Sequence, residues 1–467
     1  MSEEPMWTDE DEKRMDVIGS NGNDGEHYAV VEEKERQESA LAVGFARAGT
    51  ELDALEGDIP SAYDVPLETL NPVWNRLFAE NKSLEMFQRL RAEDPVHFNE
   101  TEVAGRFWSL SKYDDIKSVD MNYQDFSSEP MITIGFPIGR PRPEGALDIS
   151  LFIAMDPPKH DLQRKTVSPV VSSRNMAGLE PLIRERTGAV LDSLPENETF
   201  NWVDKVSIEL TTQMLATLFD FPFEERKKLT RWSDVATAVP GAGIIDSEQQ
   251  RIDELVECLQ YFTEIWEMRK KEPTNDFVSM MVKGEHTKNM EPMEFLGNLL
   301  LLIVGGNDTT RNSMTAGVHG LNLFPTEYEK LKSDHGLIPN MVSEIIRWQT
   351  PLAYMRRTAN NDCMIGDKEI KKHDQILMWY VSGNRDEEVF PNGEDLIIDR
   401  PNARNHLSFG FGIHRCMGNR TAELQLKVLW EEIMKRFDRI EVVGEEKRTF
   451  SSFVRGYTEL PVRVFRK

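Results

Sequence analysis

Residues 296–323 constrain the fold of this chain more than any other stretch. The segment is nearly continuous and strongly apolar at first, then carries a polar cluster in its middle. A helix this apolar belongs inside a protein, covered by other elements. From about residue 159 to 350 the pattern is overwhelmingly helical, with segments ending at Pro, Gly or Asn. Helical spacing at 84–91 stops before Pro95, and residues 95–98 and 107–110 read as short strands. Strand texture returns near 361–381, and a last helix follows Cys416 to about Phe437. The tail, 451–465, alternates like strands. The expectation is a mainly α fold, one large helical domain with minor β-sheets.

Charge narrows the range of partners. The chain has 80 acidic against 55 basic residues, a formal net charge of -25, which disfavours nucleic acid and anionic membrane. Residues 1–50 are acidic and poor in apolar periodicity, so they read as a flexible extension, with a single domain over 51–467. The acidic start lacks the basic and apolar regions of a signal peptide, and no apolar run reaches the length of a membrane anchor. Three cysteines, Cys258, Cys363 and Cys416, fit no zinc or disulfide spacing and suit a cytoplasmic protein.

Cys416 differs from the other two by its neighbours. It lies in Phe409-Gly410-Phe411-Gly412-Ile413-His414-Arg415-Cys416-Met417-Gly418. Gly412 permits a tight turn, Gly418 allows close backbone approach, and the helix that follows offers its N-terminus to a negative sulfur. Phe409 is placed to shield that sulfur. Glu344 and Arg347 stand at i,i+3 among apolar residues, an internal pair needing further partners, and Arg400 is the candidate third member. Two mid-helix glycines, Gly305 and Gly306, each cost about 1 kcal/mol relative to alanine. They let a flat ligand approach the backbone, and Asp308 and Thr309 beside them suit proton delivery. His160 and Arg164 share a face of a proline-started helix and suit a pair of ligand carboxylates, with Arg357 and His414 as additions.

These four motifs, in the order they take along the chain, resemble those of the cytochromes P450, and the resemblance runs from about residue 70 to the end. It implies haem b as cofactor and Cys416 as the thiolate metal ligand. It implies Glu344, Arg347 and Arg400 as a structural network behind the haem. It makes Asp308 and Thr309 the catalytic acid–alcohol pair, and His160, Arg164, Arg357 and His414 the propionate ligands. The activity implied is monooxygenation with O2, using electrons from a ferredoxin and its NAD(P)H-dependent reductase, with no membrane anchor.

The stretches around Leu302–Met314, Arg347–Arg357 and His414–Arg420 are more closely similar to the bacterial alkane hydroxylases of that family. This implies terminal hydroxylation of medium-chain alkanes, primary alcohols or fatty acids, apolar substrates presented end-on. A terpenoid or other bulky apolar substrate is the alternative, and a non-catalytic haem-thiolate sensor a more distant one. Candidate pocket walls are Leu301, Val304, Gly305, Leu352, Ala353, Phe453 and Val454, with loops 131–136 and 238–245 as caps. Lys159, Arg415, Arg420 and Lys427 are candidates for a basic patch facing an acidic ferredoxin.

Overall fold

The computed structural model describes residues 57–101, 104–134 and 149–467. The acidic extension expected over 1–50, and Gly135 and Phe136 of the expected capping loop 131–136, lie outside them. The chain opens with α1 (Asn75–Ala79), α2 (Ser83–Glu93), the hairpin β1 (Val96–Thr101) and β2 (Gly105–Leu110), α3 (Tyr113–Met121) and β3 (Phe126–Ser127). A helical run follows: α4 (Lys159–Val167), α5 (Ser173–Asp192), α6 (Glu209–Phe219), α7 (Lys227–Thr237), α8 (Glu248–Lys271) and α9 (Phe277–Lys283). The short strand β4 (Phe200–Asn201) interrupts it between α5 and α6. Then come α10 (Pro292–Leu323), α11 (Pro325–Ser333) and α12 (Ile338–Gln349). The last part holds β5 (Met355–Ala359), β6 (Cys363–Ile365), β7 (Lys368–Ile370), β8 (Gln375–Met378), α13 (Tyr380–Gly383) and α14 (Asn419–Arg436). It closes with β9 (Phe437–Val442), β10 (Lys447–Arg448), β11 (Tyr457–Glu459) and β12 (Pro461–Arg466).

The expected mainly helical architecture is the one observed. α10 is its axis. Pro292 starts it where no amide donor is needed, and Pro325 prevents its continuation into α11. Its 32 residues are buried on almost every side, covered by α6, α7, α12 and α14. The sheet texture expected at 361–381 begins earlier, at Met355. β5 pairs with β8 as the fourth strand of the sheet β1-β2-β8-β5-β3. Only the end of the tail is strand, because residues 451–456 turn inward towards α12 and make one isolated bridge, Leu352 to Val454, outside the sheets.

These elements bracket one central cavity. α10 forms one wall and the loop before α14 the opposite one. The start of β5, the end of α4 and the turn at Phe453 close its sides.

Candidate active site

Cys416 sits on the loop that precedes α14. Gly410 and Gly412 adopt φ of +64° and +65°, the left-handed region open to glycine. The loop then folds back so that the Cys416 amide donates to the Phe409 carbonyl at 2.7 Å. Gly418 caps α14. The exposed surface of Cys416 faces the cavity, which lies deep in the protein. Burial pushes its thiol up, against the Gly418 amide, Arg164 and Arg415. The start of α14 therefore helps a negative sulfur without outweighing desolvation.

Across the cavity, α10 presents Leu301, Leu302, Val304, Gly305 and Thr309. The two glycines differ in function. A Cβ on Gly305 would meet nothing within 4 Å and would project into free space, whereas one on Gly306 would meet Leu215 of α6 at 2.8 Å. Gly305 keeps the cavity open, and Gly306 lets two helices touch. Thr309 donates its hydroxyl to the Gly305 carbonyl at 2.9 Å and remains partly exposed on the cavity side.

Asp308 points the other way. It is fully buried against α7, where Ser233 donates to it at 2.9 Å and Thr237 at 3.4 Å. The Arg311 guanidinium lies 3.2 Å away and in turn pairs with Asp234 at 2.7 Å. Burial raises the Asp308 carboxyl, with Arg311 as the main opposing influence. The acid and the alcohol are thus neighbours in sequence on two sides of one helix.

The cavity's remaining edge is cationic. Arg164, Arg357 and His414 line it, and His160 is buried behind His414 with ring centroids 4.1 Å apart. Arg164 donates to the Arg415 carbonyl at 2.5 Å and Arg357 to Asp120 at 2.6 Å. Four buried nitrogen positions here have no protein partner: His160 Nε2, both ring nitrogens of His414, and Arg357 Nε. Buried polar atoms are rarely left so. Unpartnered donors at one edge, a sulfur on one face and an open glycine on the other fit a flat, dianionic, metal-bearing group such as haem b.

Behind the cysteine loop, Glu344, Arg347 and Arg400 come together as expected. Glu344 receives Arg347 through two contacts of 2.8 Å and Arg400 at 3.0 Å, all three buried. Arg347 also donates to the carbonyls of Asn384, Gly393 and Asp395, which saturates the buried charge.

Several expectations change. Leu352 and Phe453 line the cavity, but Ala353 and Val454 do not, because successive side chains of extended backbone point to opposite sides. Of loop 238–245, Ala238 and Ile245 pack into the core, residues 241–243 between them are exposed, and none lines the cavity. The distal wall also includes Ile132, Phe152, Ile153, Leu218 and Met355. Asp120, also on the cavity lining, carried no motif in the sequence. On the outer side of the cysteine loop lies a surface hollow of about 780 Å³, bordered by Lys117, Arg404, Arg415 and Lys427 with Asp114 and Glu423. Lys159 is outside it, paired with Glu294 at 2.7 Å, and Arg420 does not border it.

Comparison with known proteins agrees with this geometry. The cytochrome P450 family model matches residues 242–456. Linalool 8-monooxygenase of Pseudomonas putida is 30% identical over 83% of this chain and 96% of its own length. The methyl-branched lipid omega-hydroxylase of Mycobacterium tuberculosis is 30% identical over 80% of this chain and 90% of its own. The solved structure of CYP153D17 from Sphingomonas sp. PAMC 26605 is 48% identical, covering 84% of this chain and 98% of that one with a TM-score of 0.78.

Proposed function

The chain belongs to the cytochrome P450 family, monooxygenases with haem b as cofactor, and we propose that it hydroxylates the terminal carbon of medium-chain alkanes, primary alcohols or fatty acids. Cys416 is the residue that would hold the iron. Arg164, Arg357, His160 and His414 would receive the two propionates, whose charges match the unpartnered nitrogens there. Haem, when bound, would supply an iron held by the Cys416 sulfur and the oxygen chemistry in which substrate C–H, O2, two electrons and two protons give an alcohol and water.

The chain's residues do the rest. Thr309 offers a hydroxyl at the cavity surface, and its bond to Gly305 fixes where that hydroxyl points. Asp308 is the titratable group behind the helix, its carboxyl raised by burial against the neighbouring Arg311. Handing a proton to Thr309 requires Asp308 to leave Ser233 and Arg311, so α7 governs its release. Water is excluded from the substrate space by aliphatic side chains, which leaves hydrocarbon as the favoured occupant.

The observation that carries the substrate reading is the distal wall: Ile132, Phe152, Ile153, Leu218, Leu301, Leu302, Val304, Leu352, Met355 and Phe453 are all apolar. A methyl end is weakly reactive compared with the methylenes beside it, so walls must keep those methylenes away. The named activity of the lipid omega-hydroxylase relative supports the same reading. The linalool relative supports the alternative, a terpenoid substrate. Titration with octane, a C12 fatty acid and a monoterpene, followed by product analysis, separates them. Stronger high-spin shifts with the linear chains and mostly terminal alcohol are expected; preference for the monoterpene would overturn the linear-chain reading. We further propose a ferredoxin, fed by an NAD(P)H-dependent reductase, as electron donor at the hollow outside the cysteine loop.

A further inference from the structure

We propose that Asp120, on the last turn of α3, is a positioning residue that joins the cysteine loop to the cationic edge of the cavity and sets the electrostatic field at the haem. The inference rests on Cys416 as haem ligand. Asp120 is buried, and both of its oxygens are engaged. One accepts from Arg357 Nη2 at 2.6 Å. The other accepts from the Tyr380 hydroxyl at 2.9 Å and from the Phe411 amide at 2.7 Å. One carboxylate therefore ties three separate segments: β5, α13 and the loop that carries Cys416.

The loop is shaped around this residue. A Cβ on Gly410 would lie 3.1 Å from the Asp120 carboxylate, and one on Gly412 would lie 2.8 Å from the Asp120 carbonyl and 3.1 Å from Met121 Cα. Both left-handed glycines are thus pressed against the end of α3. A buried carboxylate with one cationic partner is costly, and an apolar tie would pack as well. What a carboxylate adds is negative charge. It occupies Nη2 of the Arg357 guanidinium, whose Nε has no protein partner, and it places an anion on the cavity lining.

Negative charge beside a redox centre favours its oxidised state. Asp120→Asn keeps the shape and some hydrogen bonds but removes the charge. The holoenzyme variant should have a more positive ferric–ferrous potential, and part of its ferrous carbon monoxide complex should convert to the thiol-ligated spectral form. Tyr380→Phe keeps the charge and removes one donor, so its potential should move the opposite way. An unchanged potential and unchanged carbon monoxide spectrum in Asp120→Asn would overturn the proposal. If that variant does not fold, an unmoved potential in Tyr380→Phe overturns it. A wild-type protein without a thiolate carbon monoxide signature would instead overturn the reading of Cys416.

Discussion

Thr309 and Asp308 show how adjacent residues divide a task at the scale of single side chains. Thr309 meets the cavity, and Asp308 is locked behind it by Ser233 and Arg311. Thr309→Ala should still bind substrate and accept electrons, but the fraction of electrons ending in product should fall several-fold, read as product formed per NAD(P)H consumed. Equal coupling in the variant would exclude this role. Two buried histidines predict a pH dependence of stability. Burial lowers His406 to about 3 and His319 to about 4, against an ordinary 6.5. The unfolded chain protonates both near pH 6.5, whereas the folded chain resists until pH 4 and below. Stability is therefore full above pH 6.5 and falls as pH drops towards 4. Denaturant midpoints between pH 7.5 and 4.5 should show this fall, and His406→Gln should flatten it.

Elements fail differently from side chains, and α10 and α12 make the contrast testable. Gly306→Leu would drive a side chain into Leu215 and separate α10 from α6, so loss of stability is expected. The Cβ of Gly305→Val would meet no atom of the protein within 4 Å. It should fold normally yet retain less haem, read as haem per protein after purification. A pair of equally unstable variants would show that both glycines serve packing alone. At Glu344 of α12, Arg400→Ala leaves the carboxylate with one cation in a buried site. A loss of about 3–5 kcal/mol is expected in denaturant unfolding.

Taken whole, the molecule carries net negative charge, yet its surface hollow outside Cys416 gathers Lys117, Arg404, Arg415 and Lys427. Charge reversal at Lys117 and Arg404 should slow reduction by an acidic ferredoxin at low salt about tenfold, with the difference shrinking as salt screens it. Stopped-flow reduction at two ionic strengths measures this, and salt-independent rates would sink the assignment of that face. Much of the molecule was legible beforehand. Apolar periodicity marked α10 and α14, because a buried helix must be apolar wherever it touches its neighbours. The loop around Cys416 and the Glu344–Arg347 pair were readable because their geometry depends on residues a few positions apart. Distance along the chain hid the rest. Asp120 lies nearly 300 residues from the Phe411 amide it binds, so no local pattern marks it. Ala353 and Leu352 look alike in sequence, and only the direction of the backbone at that point turns one to the cavity. The sequence by itself determined the helical class and the cysteine loop, both products of short-range spacing, and its motifs carried the resemblance that implied the cofactor. Tertiary structure alone decided which way Asp308 faces, which glycine opens the cavity and what holds Arg357, since each depends on contacts between segments far apart in the chain.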